Sequence, residues 1–348
     1  MTLPGGSFVH TVLGDVPSDE LGLTLIHEHL HVDATPLLRV HAHEGAATSE
    51  PFDVAVAGEC RWNPAAHTDN YRFVEHDAVL EDLMGYRRAG GRAVVDATPL
   101  DLGRSPHSLR RYAQDSDLHV IMGTGFYLEG SHRDHLPSGG EEDATYTLVV
   151  TEHTNGVDGA RPGIIGEIGT SDPPTPAELR TLRGAARAAV ETGLPLTVHV
   201  HPWGWNGERV TEVVADAGLP LARLLLNHMT TAVGNPAYLD RLLETGVGLG
   251  FDLFGFDHSL LETGRYPPSD RDVALTVVRL VEEGHVEQLF LSQDVGVRTR
   301  LTRYGGWGYT HLLIHVVPLL LSLGLTMKDV DKMLVRNTAR FLTVRAPA

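Results

Sequence analysis

Gly22-Leu23-Thr24-Leu25-Ile26-His27-Glu28-His29 reads as a buried strand that runs straight into two histidines separated by one residue. On a strand, residues i and i+2 share a face, so His27 and His29 project together. Neutral imidazoles are common ligands for zinc and similar metals. In a chain with 20 histidines the pair alone is a modest signal, and the surrounding sequence has to give it meaning.

Downstream, the polar stretch 33–70 carries His41, His43, Cys60 and His67 without periodicity. It reads as a long insertion at the strand's C-terminal end. Residues 74–90 then place Val79, Leu80, Leu83 and Met84 at helical spacing and stop at Gly90-Gly91. Apolar strand-like runs recur at 93–96, 118–122, 163–168, 194–199, 224–228, 247–252 and 288–294. Amphipathic segments separate most of them; 176–193, 207–218, 235–246 and 269–284 each end in glycine, a usual helix stop. Ser269-Asp270-Arg271-Asp272 has the form of a capping-box opening.

With the opening stretch there are eight near-continuously apolar strands, as buried parallel strands should be. Alternating with helices over 348 residues, they predict an α/β fold, a TIM (β/α)8 barrel forming one domain over 1–348. Residues 327–342 read as C-terminal helices closing it.

The net charge of −17 argues against nucleic acid and anionic membrane as partners. A single cysteine, Cys60, excludes an internal disulfide framework and fits a reducing compartment. Residues 1–14 have neither a basic start nor an apolar run, so no signal peptide is expected. The most apolar window, 312–325, is interrupted by His315 and Pro318 and is too short to span a bilayer. These features predict a cytoplasmic protein with a small-molecule substrate and no nucleic-acid or membrane partner. A homodimer is one arrangement they allow.

Chemistry in such barrels sits at the C-terminal strand ends. Those ends carry His27 and His29 on the first strand, Glu167 on the fourth, His199 on the fifth, His228 on the sixth and Asp294 on the eighth. Four histidines and two carboxylates on one rim suit two divalent metal ions with a shared carboxylate. Zinc suits these ligands, as do manganese, cobalt and iron.

This order of residues resembles the phosphotriesterase-related branch of the amidohydrolase superfamily over nearly the whole chain. The most specific pieces are "LGLTLIHEHL", "GEIGTS", "NHMT" and "LSQDV"; "FDLFG" and "YGGWGYTHLLIHVVP" look like the group known as phosphotriesterase-related, or resiniferatoxin-binding, proteins. The resemblance implies that His27, His29 and Asp294 bind the more buried metal and that His199 and His228 bind the more exposed one. Glu167 stands where many relatives bridge the metals with a carboxylated lysine. Both lysines of this chain, Lys328 and Lys332, lie in the C-terminal segment. The implied activity is that of a binuclear metal-dependent hydrolase. In it a bridging hydroxide attacks an ester, lactone, amide or phosphotriester, and Asp294 accepts the proton. N-acylated amino-sulfonate and amino-acid amides are worth testing early.

The departures bear on substrate. Organophosphate hydrolases of the family place a relay histidine after the seventh strand and an aspartate after the sixth, where this chain has Leu253 and Thr231. Lactonases carry an arginine at the Leu253 position. Efficient paraoxon hydrolysis is therefore not expected. Tyr127 matches a lactonase tyrosine beside the metals and is the candidate donor to a bound carbonyl, with a packing role as the alternative. Trp203, Trp205, Phe254 and Trp307 are candidates to line an apolar pocket or to pack loops. Arg298, Arg300 and Arg303 either recognise an anionic substrate end or, for most of them, form a solvated basic loop. His31, His201, His311 and His315 read as supporting or structural. The second class of function is a non-catalytic small-molecule binding protein on the same barrel. The presence of all six ligand types favours the enzyme.

Overall fold

Eight strands carry the apolar runs: β1 (Thr24–Glu28), β2 (Ala93–Asp96), β3 (His119–Thr124), β4 (Ile164–Thr170), β5 (Leu196–Val200), β6 (Leu224–Leu226), β7 (Gly248–Phe251) and β8 (Leu289–Leu291). The computed structural model describes residues 7–38, 51–258 and 265–345, so His41 and His43 lie outside the described residues. The strands are neighbours in chain order, and the pairings along the sheet are parallel. The arrangement is a TIM barrel. Among the described residues no helix is long and apolar enough to cross a membrane.

Helices follow the strands: α1 (His76–Arg88), α2 (Pro106–Ser116), α3 (Glu141–Asn155), α4 (Pro176–Thr192), α5 (Gly207–Asp216), α6 (Pro236–Glu244) and α7 (Asp270–Glu282). The sequence reading had not named α2 and α3. The first is polar on average, although Leu109, Tyr112 and Ala113 line one buried face, and the second mixes threonine and valine with acidic residues and shows no clean apolar stripe. The insertion is closed at its base by an antiparallel pair, Val32–Asp33 with Arg72–Phe73, and holds a short helix, Ala57–Trp62.

Two apolar clusters show which way each strand faces. Leu25, Val94, Val120, Ile165, Val198, Leu226, Leu249 and Leu291 belong to the large cluster that includes Leu83, Leu182, Val210, Leu239 and Val277 of the helices. Ile26, Val95, Ile121, Ile164, Leu225 and Phe290 form the smaller cluster. Side chains from strands on opposite sides of a barrel meet only in its interior. Val9, Leu21, Phe341 and Leu342 join that interior cluster. The bottom is therefore plugged by an N-terminal hairpin (Phe8–Thr11 with Gly14–Pro17) and the last helix, Asn337–Leu342. The other end is left for the polar side chains.

Between β8 and β1 the barrel is closed by individual bonds. The Asp294 N–H donates to the His27 carbonyl at 3.2 Å and the His27 N–H to Ser292 Oγ at 3.1 Å. The buried Glu28 carboxylate accepts from Ser292 Oγ (2.7 Å) and from the Gln293 and Val295 N–H groups (both 2.9 Å). Glu28→Ala would strand three buried donors at the seam. We expect it to destabilise the fold by about 3–5 kcal/mol, the size seen when a buried polar network is broken. Urea unfolding checks this, and a loss under about 1 kcal/mol would be too small for a seam built on that carboxylate.

Candidate metal centre and its cavity

Strand alternation alone delivers His199. It lies one residue from Val198 and Val200, which face the helices, so it points inward. The first strand needs more. Leu25 packs outward, and strict alternation would send His27 and His29 the same way. The β1–β2 register shifts between Leu25 and Glu28, and that irregularity re-aims both rings. A second shift, between Ile165 and Ile168 in the β4–β5 pairing, places Glu167. Gly166 before it has φ 113°, and a Cβ there would lie 2.2 Å from the Thr197 carbonyl oxygen, so the bend admits only glycine. His228 and Asp294, just past their strands, take left-handed backbone with φ 64° and 52°. Such strained positions cluster at functional sites.

All six predicted ligand residues meet. Glu167 Oε2 lies 3.5 Å from His27 Nε2, His199 Nδ1 and His228 Nε2, while its Oε1 lies 3.3 Å from His29 Nε2. Asp294 Oδ1 is 3.2 Å from His29 Nε2 and 3.7 Å from His27 Nε2. Two compact triads result, His27–His29–Asp294 and His27–Glu167–His228, each with ligand atoms within 4.8 Å of one another. His199 joins the second group from the side, 2.8 Å from His228 Nε2. The Tyr127 hydroxyl sits 2.9 Å from His199 Nδ1.

The surrounding hydrogen bonds choose the tautomers. Thr98 Oγ1 donates to Asp96 Oδ1 at 2.9 Å and so must accept from His29 Nδ1, also at 2.9 Å. Nε2 of His29 is then left bare toward the carboxylates. Asp252 Oδ1 is 3.2 Å from His228 Nδ1, and its Oδ2 is 3.6 Å from His27 Nδ1. The Asp252 carboxylate thus hydrogen-bonds the His228 ring, the outer support that metal-binding histidines ordinarily have, and faces the His27 ring only through space.

Burial pushes the Glu167 and Asp294 carboxyls up, but the histidines outweigh it and hold both below the ordinary range. Burial pulls His27, His29 and His228 down, and the carboxylates more than reverse it. His199, buried against His228, falls to about 4. Both ring nitrogens of His27 and Oε2 of Glu167 are buried without a hydrogen-bond partner among the described residues. An all-nitrogen-and-oxygen donor set with orphaned buried atoms fits a divalent cation.

A cavity of about 190 Å³ opens over the cluster. Its walls include Tyr127, His201, Trp203, Leu253, Phe256, His258 and Arg300, and the insertion contributes Leu37 and Pro64, with Tyr71 beside its base. Of the four candidate aromatics, only Trp203 lines it. Phe254 is fully buried in the core, Trp205 packs on Tyr238, and Trp307, 48% exposed, leans on His311 and His315.

The solvated basic loop is corrected: Arg298 and Arg300 are buried. Arg298 is held by Glu75 at 2.7 Å and by the Arg72 carbonyl, while Arg303 alone fits the expectation, pairing at the surface with Glu81. The sequence reading missed Asp252, although a carboxylate ending the seventh strand was visible. It also missed Thr98, Asp96 and His258, whose roles depend on partners far away in the chain.

A sequence model of the phosphotriesterase family matches residues 7–342. An N-acetyltaurine hydrolase of Danio rerio is 32% identical over 349 residues, covering 97% of this chain and 98% of that protein. The crystal structure of a resiniferatoxin-binding protein from Rhodobacter sphaeroides superposes with a TM-score of 0.90 at 34% identity, covering 97% of this chain and 96% of that one. An organophosphorus hydrolase from Deinococcus radiodurans has a TM-score of 0.75 at 29% identity, covering 98% and 99%.

Proposed function

The chain belongs to the phosphotriesterase family of hydrolases, and we propose that it is a binuclear enzyme cleaving small N-acyl amides whose amine half ends in an anion. The observation that carries the binuclear reading is Glu167, which turns one oxygen toward His29 and the other toward His27, His199 and His228. His27, His29 and Asp294 would hold one divalent ion, His199 and His228 the other, and Glu167 both, with zinc first among the metals. Ions held there would supply Lewis acidity to water and to the scissile carbonyl.

The protein's own part is positioning and proton handling. His29 and His228 are locked by Thr98 and Asp252, so their free nitrogens stay aimed inward. Of the two carboxylates at the centre, the Asp294 side chain is 16% exposed and the Glu167 side chain 3%. Asp294 is therefore the more accessible of the two to an attacking water in the cavity, and its carboxylate takes the proton. Tyr127 stands on the His199 side, where its hydroxyl can donate to the carbonyl oxygen. The apolar wall of Leu37, Leu253 and Phe256 keeps bulk water from the leaving amine.

The amide substrate is favoured by the likeness to the N-acetyltaurine hydrolases and by a cavity small beside the roughly 300–1,000 Å³ of drug-sized sites. The test is a panel of N-acetyltaurine, N-acetyl-β-alanine, a γ-lactone and paraoxon. Turnover should be highest on the anionic amides. Because Leu253 stands at the relay position and Thr231 is tied to the Pro202 carbonyl, paraoxon should be a poor substrate. A kcat/KM on paraoxon approaching the diffusional ceiling of about 10⁸ M⁻¹s⁻¹, or none on any amide, would overturn this substrate assignment.

A further inference from the structure

Arg300 is 4% exposed and lines the cavity. Its fixed partners are neutral: Nη2 donates to the Phe254 and Gln293 carbonyls at 2.8 and 2.7 Å. Nη1 is buried with no hydrogen-bond partner among the described residues. The carboxylates of Asp294, Glu28, Asp257 and Asp270 act on the guanidinium through space. A buried guanidinium ordinarily has a carboxylate or phosphate in its fork, because an unsatisfied buried charge is costly. Arg298, two residues earlier, has such a partner in Glu75. Arg300 has carbonyls behind it and a cavity in front.

The neighbours shape what that cavity would accept. The Phe256 ring lies under the guanidinium, with Cζ 5.2 Å from its centroid, and His258 packs 5.3 Å from the same ring. Both line the cavity. Burial and the charges of Arg300 and Arg61 hold His258 down to about 3, so it stays a neutral ring. Arg300 is the one Lys or Arg among the described lining residues. The centre's own carboxylates, Glu167 and Asp294, are at the metal end, so an anionic group entering beside Arg300 meets the single fixed cation of the wall.

We propose that Arg300, seated on Phe256 beside His258, forms the subsite that binds the sulfonate or carboxylate of the amine half of the substrate. The inference rests on the amide reading above and adds the residue that reads the charge. Arg300 determines specificity and takes no proton.

The experiment compares N-acetyltaurine, N-acetyl-β-alanine and neutral N-propylacetamide on wild type, R300Q and R300K loaded with the same metal. Wild type should prefer the two anionic amides. R300Q should lose about 10–100-fold in kcat/KM on both, mostly through KM, the range for a charge-assisted hydrogen bond. On N-propylacetamide it should change by less than about twofold, and R300K should fall between. Equal losses on charged and neutral amides, or an unchanged preference, would overturn the subsite while leaving the amide reading intact. If R300Q does not fold, wild-type crystals soaked with ethanesulfonate decide: a sulfonate oxygen on the Arg300 guanidinium upholds the proposal, and one bound elsewhere in the cavity ends it. Should wild type cleave none of the amides, the substrate reading falls, and the same soak still judges the subsite by itself.

Discussion

Asp294→Asn is expected to lower kcat by about 10²–10⁴-fold while leaving bound metal largely in place, the usual worth of a positioned base. Two properties meet in this side chain. Its Oδ1 lies 3.2 Å from His29 Nε2, inside the first triad, and of the two central carboxylates that line the cavity it is the more open, 16% exposed against 3% for Glu167. An asparagine preserves one oxygen acceptor at nearly the same place but cannot hold a proton there, and it removes one negative charge. The two roles therefore separate in two measurements. Elemental analysis should find most of the metal retained, and steady-state kinetics should show the loss in kcat rather than in KM. Near-normal turnover with full metal would remove Asp294 as proton acceptor and move that role elsewhere on the rim. Loss of all metal would show that its charge, not its basicity, is what the centre needs.

Much of this architecture could be read from the chain because the relevant information was local. Eight apolar runs with glycine stops state a parallel barrel, and a barrel states where its chemistry must lie. The six polar residues at those ends needed no knowledge of contacts to be picked out. How they turn inward was less legible. Simple alternation puts Leu25, His27 and His29 on one face, yet Leu25 belongs to the helix-facing core. The register shift in β1 resolves the conflict, and nothing in the local pattern announces it. The left-handed backbone at His228 and Asp294 is equally silent, since neither residue is a glycine.

Long-range partnership was hidden altogether. Asp252 gains its meaning from rings on β1 and β6, and Thr98 from His29, 69 residues away in sequence. The arginines following β8 looked solvated because their own stretch has no acids. Glu75 and the Arg72 carbonyl, which bury Arg298, lie just past the far end of the insertion. The insertion itself had no periodicity to read, and only folding shows Leu37 and Pro64 as part of the cavity wall.

Glu167→Gln separates a binuclear centre from a single-ion one, and it should cost the protein at least one of two divalent ions. The carboxylate has Oε1 3.3 Å from His29 and Oε2 3.5 Å from His27, His199 and His228, so each oxygen addresses a different set of ligands. It is buried, with no arginine or lysine paired to it among the described residues, and Oε2 has no hydrogen-bond partner. A glutamine offers one good acceptor oxygen in place of two, and its amide nitrogen presents protons where a cation should sit. It also removes the charge that offsets the repulsion of two cations held close together. The variant should purify with about one ion per chain, and excess divalent metal should restore part of its activity. Glu167→Lys with added bicarbonate is the complementary test, because a carboxylated lysine presents the same two oxygens on a longer arm. Recovery there, set against persistent loss in the glutamine variant, would place the requirement on the bridging pair of oxygens. If Glu167→Gln keeps two ions and ordinary turnover, the centre does not depend on a bridge, and the binuclear mechanism has to be given up in favour of one built on His27, His29 and Asp294 alone.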